Sequence, residues 1–221
     1  MSRISRCGDW NDRMPQPGTT PRLHLVGARE GGLPSIEALV GREPEAVARL
    51  YDLQVERVER LLVAVMGPDR ELDDIVQRVF VEVLDALPRF RGTEPGMLVA
   101  FLDRITVNVA RTWIRRRKRN AWLFLAAPAE LPEIPASFGE PRARAALQVA
   151  LGILDRLPVD ERVAFSLRRI EGFRLEEIAQ LVEASLATVK RRIDRAEQRL
   201  VAEARTQPLL WSWLEDHDGP T

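Results

Sequence analysis

Thr188, Arg191, Arg192, Arg195 and Arg199 recur at steps of three and four within ASLATVKRRIDRAEQRL, residues 184–200. That spacing gathers them on one face of a helix. Leu186, Val189, Ile193, Ala196 and Leu200 recur in the same way on the opposite face. The apolar stripe suits burial, and the cationic stripe needs an anionic partner. Arginines held this way can fork onto guanine O6 and N7, each contact giving about 1–3 kcal/mol of discrimination. Asp194 can accept from cytosine N4 or pair locally with Lys190 or Arg191. The chemistry on offer is recognition of a polyanion.

A second stretch repeats the pattern. Leu98, Leu102, Ile105, Val109 and Trp113 share one helical face, and Arg104, Asn108, Arg111, Arg115 and Lys118 share another. The segment runs into Arg115-Arg116-Arg117-Lys118-Arg119. Cations so arranged suit a phosphate backbone, with strongly salt-dependent binding, and Asn108 can offer its amide to a base edge. The plain alternative is a solvated face whose basic end complements the helix dipole.

No bond-making constellation accompanies these faces. There is no Gly-rich phosphate loop and no His/carboxylate pair at metal spacing. The neighbours Asp73 and Asp74 point about 100° apart on a helix, which suits a solvated or partner-facing turn better than a metal site. A single cysteine, Cys7, and two distant histidines, His24 and His217, leave no internal disulfide and no metal cluster. We therefore expect a protein that is not an enzyme and that carries neither cofactor nor metal.

The 33 basic and 33 acidic side chains balance over 221 residues. The balance conceals segregation: residues 104–119 hold seven Lys/Arg and no acid, whereas residues 120–141 hold three Glu and no base. Local fields decide binding, not their sum. No run approaches the roughly 18 apolar residues of a membrane span, and no secretory leader is evident, so the expected location is cytoplasmic, with no membrane insertion.

The elements that must position these faces are all helical. Residues 1–43 are rich in Gly, Pro and Arg and read as a largely disordered extension with a short helix near 35–40. A helix over 44–66 starts at Pro44 and turns Val47, Leu50, Tyr51, Val58, Leu61, Leu62 and Val65 inward. A second helix, capped by Asp69 and stopped at Pro88, buries Leu72, Ile75, Val76, Val79, Phe80, Val83, Leu84 and Leu87. A loop over 89–97 leads to a third helix over 98–119, completing a bundle over 44–119. Four prolines mark 120–141 as an extended linker, either a surface connection or a functional insert. Residues 142–206 form a second unit with helices over 143–157, 160–170, 175–182 and 185–204, separated at Pro158 and Gly172. Its last two helices, joined by a tight turn at Glu183-Ala184 with Ser185 as N-cap, read as a helix-turn-helix whose second helix enters the DNA major groove. A helical hairpin with a charged face is the alternative. The tail, 207–221, holds Trp211 and Trp213. The fold class is all-α: two small helical domains joined by a Pro-rich linker.

The order LDDIVQRVF (72–80), RFRG (89–92) and FLDRITVNVARTWIRRRKR (101–119) resembles region 2 of a bacterial sigma factor. The stretch 154–200, LDRLPVDERVAFSLRRIEGFRLEEIAQLVEASLATVKRRIDRAEQRL, resembles region 4. Two such domains with only a linker between them are similar to the extracytoplasmic-function group of the sigma-70 family. The resemblance implies core RNA polymerase as partner, met through the β′ clamp helices and the β flap, with Asp73, Asp74 and Gln77 on the clamp side. It implies −10 promoter DNA on Arg104, Asn108, Arg111, Arg115 and Lys118, with a flipped base captured by the 89–97 loop that carries Arg91. It implies −35 promoter DNA on Thr188, Lys190, Arg191, Arg192, Asp194, Arg195 and Arg199. The linker would thread toward the RNA exit channel, its acidic composition standing in for RNA. An anti-sigma partner follows from the resemblance alone. Such a chain would direct promoter-specific initiation while the polymerase supplies the chemistry; free of partners, its two domains can also pack with their basic faces hidden.

The departures concern promoter sequence. The −10 loop is longer than the family norm and carries Pro95-Gly96. Phe101 stands for a usual Trp, Asp103 for an aromatic, Arg191 for Ser, and Asp194 for His or an aromatic. Glu183 stands where Gly is common; a non-Gly residue at positive φ costs about 1 kcal/mol, so a differently shaped turn is expected. The other function class is a stand-alone helix-turn-helix repressor or activator, which would bind its site as a dimer without polymerase. An adaptor using these helices to bind protein would show no salt-dependent DNA affinity.

Overall fold

The computed structural model describes residues 32–92, 95–123 and 141–208. The expectations for 1–31, for the linker over 124–140 and for the Trp-containing tail from 209 onward lie outside the described residues. Eight α-helices and one 3-10 turn make up the regular structure among the described residues.

The first unit is built on three long helices. Helix α2 (Pro44–Met66) opens with proline in its first turn, where the missing N–H costs no hydrogen bond, and closes at Gly67 in a left-handed conformation. Helix α3 (Leu72–Ala86) starts after Asp69, whose Oδ1 accepts the Glu71 N–H at 3.0 Å. Asp69 thus braces the approach to the helix, and the N-cap is Glu71, not Asp69. Pro88 ends α3 by falling within a 3-10 turn, Leu87–Arg89. Helix α4 (Pro95–Leu123) begins and ends beyond the expected 98–119, so the loop shortens at its C-terminal side and the linker loses its first residues. Pro95 sits in the opening turn, where proline is well tolerated.

Helices α2, α3 and α4 pack on one another around Leu50, Leu61, Leu62, Ile75, Val79, Val83, Leu102 and Ile114, all at most 2 % exposed. Burying each such side chain stabilises the bundle by about 1.5–3 kcal/mol. One assignment on α2 changes, since Tyr51, expected inside, is 40 % exposed; Gln54 and Arg57, not expected inside, are buried. A short helix α1 (Ile36–Val40) forms where the sequence suggests one, capped by Ser35 Oγ, which accepts the Ala38 N–H at 3.1 Å. It docks fully buried Leu39 against the rest of the unit, so residues 32–43 belong to the fold.

The second unit comprises α5 (Pro141–Arg156), α6 (Val159–Arg169), α7 (Leu175–Leu181) and α8 (Leu186–Ala204). Val163, Ala164, Leu167, Ile178, Val189, Ile193 and Ala196 form its interior. Leu186, assigned to the same stripe, is 37 % exposed because it occupies the first position of α8. Glu183, in the turn between α7 and α8, has φ of 51°. The turn therefore keeps the left-handed shape that glycine would give it and accepts a cost of about 1 kcal/mol, contrary to the expected change of shape.

The two units lie against each other. Helix α6 packs on α2 and α4, and α7 packs on α4. One apolar cluster runs from Leu39 and Leu50 through Val107 and Ile114 to Val163, Phe173 and Ile193. Two helical domains are thus present, with their contact face continuous with both cores.

Candidate functional site

Three groups of residues singled out by sequence now have positions. Asp73, Asp74 and Gln77 occupy the first turns of α3 and are exposed. Acidic side chains there complement the positive end of the helix dipole, which favours this arrangement even without a partner. The apolar stripe of α3 faces the bundle and leaves these three outward.

The arginine face of α4 is exposed only in part. Arg111 Nη2 donates to Asp160 Oδ1 at 2.7 Å, and Arg115 Nη2 donates to the same oxygen at 3.1 Å. Arg104 pairs with Glu183. Lys118 Nζ donates to the carbonyl of Leu157 at 2.6 Å, and burial lowers the Lys118 pKa. The acceptors all belong to the second unit. Asn108 remains exposed, with its backbone carbonyl accepting from Thr112 Oγ1 at 2.9 Å. Arg91 is exposed at the foot of the 89–92 segment, where it donates to the carbonyl of Pro88 at 3.2 Å.

The face of α8 is differently placed. Lys190, Arg191, Asp194 and Arg195 are exposed, and none of them forms an ion pair among the described residues. Asp194 therefore does not neutralise its neighbours. Arg192 reaches Asp160 Oδ2 at 3.4 Å and Arg199 reaches Glu161 at 3.2 Å. Ser185 caps the helix by accepting the Thr188 N–H at 3.2 Å, and the two hydroxyls lie 2.9 Å apart. Thr188 is thus engaged in the cap, a role its position in the first turn allows. The expectation that free domains hide both basic faces holds only in part for α4, where Asn108, Arg115, Arg116 and Arg119 stay exposed, and fails for α8.

Sequence reasoning missed the acids that cover α4. Asp160 lies in the first turn of α6, where the helix dipole favours it. Its burial opposes ionisation, but the guanidinium of Arg111, with Arg192 and Arg115 behind it, holds the carboxyl below its ordinary range. Asp155 behaves alike: desolvation is outweighed by Arg117 and Arg162, and its pKa falls. Arg162 Nη1 donates to Asp155 at 2.7 Å, while Arg162 Nε donates to the carbonyl of Val65 at 2.7 Å, satisfying the C-terminal end of α2. Arg117 also pairs with Asp155 and, within the first unit, reaches Asp69 at 3.4 Å. The available signal was the acidic opening of α6, matched in charge to the basic run of α4.

Beneath this surface Arg57 and Asp103 form a buried two-point pair, with Nε to Oδ1 and Nη2 to Oδ2 both at 2.7 Å. Burial works against the Arg57 charge, yet the Asp103 carboxylate overrides it and raises the arginine pKa. Phe90 and Phe101 lie 4.9 Å apart between ring centroids at the base of the 89–92 segment.

Two arginine-bearing helices in separate helical units, an exposed acidic turn on a third helix, and a helix-turn-helix in the second unit are now in place. The family described as sigma-70 region 2 matches residues 50–120, and sigma-70 region 4 matches residues 147–200. The ECF RNA polymerase sigma factor SigE of Mycolicibacterium smegmatis is 30% identical over 197 residues, covering 87% of this chain and 70% of that protein. The ECF RNA polymerase sigma-E factor of Escherichia coli K12 is 27% identical over 187 residues, covering 79% and 95%. Among solved structures, CnrH in complex with the cytosolic domain of CnrY has a TM-score of 0.52 at 22% identity, covering 78% of this chain and 96% of that one. The sigma factor RpoE in complex with the anti-sigma factor NepR from Bartonella quintana has a TM-score of 0.55 at 22% identity, covering 72% and 97%. At that identity the structural likeness speaks for the fold. Together, the paired region matches and the relative spanning most of the chain establish that this protein belongs to the extracytoplasmic-function RNA polymerase sigma factors.

Proposed function

We propose that the chain docks on core RNA polymerase through the exposed Asp73, Asp74 and Gln77 of α3 and, by its second unit, on the β flap. It then reads the −10 element with Arg91, Arg104, Asn108, Arg111, Arg115 and Lys118, and the −35 element with α8. In that reading Lys190, Arg191, Arg195 and Asp194 face the major groove, Arg192 and Arg199 flank it, and Thr188 fixes the start of the helix. The polymerase performs nucleotidyl transfer, and the chain acts in the cytoplasm without a cofactor. Placing recognition on two linked modest modules makes occupancy depend on their spacing. One observation carries this reading: α4 and α8 each expose or can expose a guanidinium row, while α3 offers a separate, uncovered acidic turn. One structural neighbour is a sigma factor bound to an anti-sigma factor, and another is CnrH bound to the cytosolic domain of CnrY. By that likeness we extend the partner list to an anti-sigma protein.

Charge reversal tests the division of labour. Asp74→Arg should abolish binding to core polymerase in a pull-down, and Arg195→Glu should leave it intact while weakening duplex DNA. The open face of α8 also favours a second reading, a regulator that binds duplex by itself. That reading gains if Asp74→Arg leaves all DNA-dependent activity unchanged.

A further inference from the structure

Asp194 is an acid set among cations that do not take it. It lies on the exposed side of α8, away from the buried stripe of Val189, Ile193 and Ala196. Ala187, Lys190, Arg191, Arg195 and Gln198 share that side. In helical projection Lys190 stands about 40° to one side of Asp194 and Arg191 about 60° to the other, at i−4 and i−3. That spacing allows local pairing, yet Asp194 forms no ion pair among the described residues. The acid follows its cations in the chain, the weaker order for helical ion pairs, and its side chain is short. A free carboxylate there lowers affinity for DNA in general, because it meets a lattice of phosphates and offers acceptors alone.

We propose that Asp194 is the specificity-determining residue of α8: it fixes one cytosine in the duplex by accepting the N4 amino hydrogen, and it rejects the other bases at that place. In the major groove, guanine O6 and N7, thymine O4 and adenine N7 are all acceptors and repel a carboxylate. Cytosine presents its amino donor with no acceptor beside it. Adenine presents N6–H next to N7, which opposes the second carboxylate oxygen. Arg191, on the adjacent side, suits guanine O6 and N7, so acid and guanidinium together distinguish C·G from G·C. Asp194 thus works by exclusion as much as by attraction. It weakens binding to every duplex and weakens it least where the cytosine sits. This inference rests on the groove placement of α8 proposed above, and its test is arranged to fail separately.

The test selects duplexes from a randomised pool on the full chain assembled with core polymerase and sequences what is retained. The wild type should retain a motif with one invariant cytosine beside guanines. Asp194→Ala should keep the guanines and lose the cytosine, whose advantage over other bases falls about tenfold. Asp194→Asn should move that position toward adenine, since an amide pairs with N6 and N7 together. Replacing the selected cytosine by 2-pyrimidinone, which lacks the amino group, should weaken the wild type about tenfold and leave Asp194→Ala unchanged. Without polymerase, Asp194→Ala should bind random-sequence duplex about threefold more tightly at low salt, as a charge repelled by phosphate is gone. Asp194 is exposed, so both variants should melt like the wild type. A wild-type motif with no invariant cytosine overturns the proposal. So does a motif unchanged in both Asp194 variants but altered by Arg195→Glu, which leaves α8 in the groove. A motif unchanged in all three variants removes α8 from base reading, and the role of Asp194 with it. A cytosine lost on Asp194→Ala from a motif that only the polymerase-free chain selects supports the proposal and counts against the sigma reading.

Discussion

Arg111 and Asp160 stand 49 positions apart in the chain, on different units, and are joined at 2.7 Å. One is the central arginine of a proposed DNA face, and the other is the acid that occupies it. The side chains proposed to meet DNA thus also define the packing of its two modules.

That packing should respond to acid. Asp155 and Asp160 both have pKa values depressed in the closed arrangement. Their stabilising contribution is complete above the pKa of a free aspartate, about 3.9, and is lost as pH falls through the depressed values. The radius of gyration should be constant from neutral pH to about 4 and increase only as pH falls below the free-aspartate range, through the depressed values. Equal compactness at pH 7 and at a pH low enough to protonate both carboxyls would contradict the assignment.

Arg162 ties both units to the end of α2. Arg162→Met keeps much of the apolar stem but orphans the Val65 carbonyl and removes one partner of Asp155. The expected loss is about 3 kcal/mol in urea unfolding, since breaking a buried pair leaves an uncompensated group. A loss below about 0.5 kcal/mol, the size of an ordinary surface substitution, would show that the contact is incidental.

The Arg57–Asp103 pair tests burial in another way. Arg57→Met alone should cost about 3–5 kcal/mol, because Asp103 would remain ionisable and fully enclosed. Adding Asp103→Leu should recover a large part of that loss, since an apolar pair needs no desolvation. A double-mutant cycle measures the coupling. Additive losses would mean that the two charges act independently.

Gly92 lies where a Cβ would run into the Phe90 ring. Phe90 packs against Phe101 with the ring planes tilted by 39° and is buried, so the ring has little room to yield. Gly92→Ala should destabilise the unit by about 1–3 kcal/mol through overpacking, and should weaken capture of a single strand by the adjoining loop. Unchanged thermal unfolding and unchanged oligonucleotide binding would count against a packing role for this glycine.

Much of the fold was legible because periodicity reports burial. The apolar steps of α3 and α8 placed their core residues, and Pro88, Pro158 and Gly172 marked real breaks. The start of α4 was misjudged because Gly and Pro in RFRGTEPGM read as loop, although proline in a first turn is itself a helix signal. Gln54, Arg57 and Asp103 were not legible as interior residues, since only tertiary packing decides whether a polar side chain is enclosed. The basic residues of the candidate site were legible from spacing; their acidic covers were not. Charge matching between the acidic opening of α6 and the basic run of α4 is the one sequence signal for the cover, but it does not pair Arg104 with Glu183 or Arg111 with Asp160; which basic face is covered depends on how α6 and α7 dock on α4.

The most direct test of the central claim is run-off transcription with core RNA polymerase on genomic fragments that include the protein's own upstream DNA. With the wild-type chain, a discrete set of new transcripts should appear, sharing two elements at constant spacing. Asp74→Arg should remove them by loss of polymerase, and Arg195→Glu by loss of the upstream element. No new transcript from the purified chain and core, despite specific binding of the chain to duplex DNA without polymerase, would contradict the account.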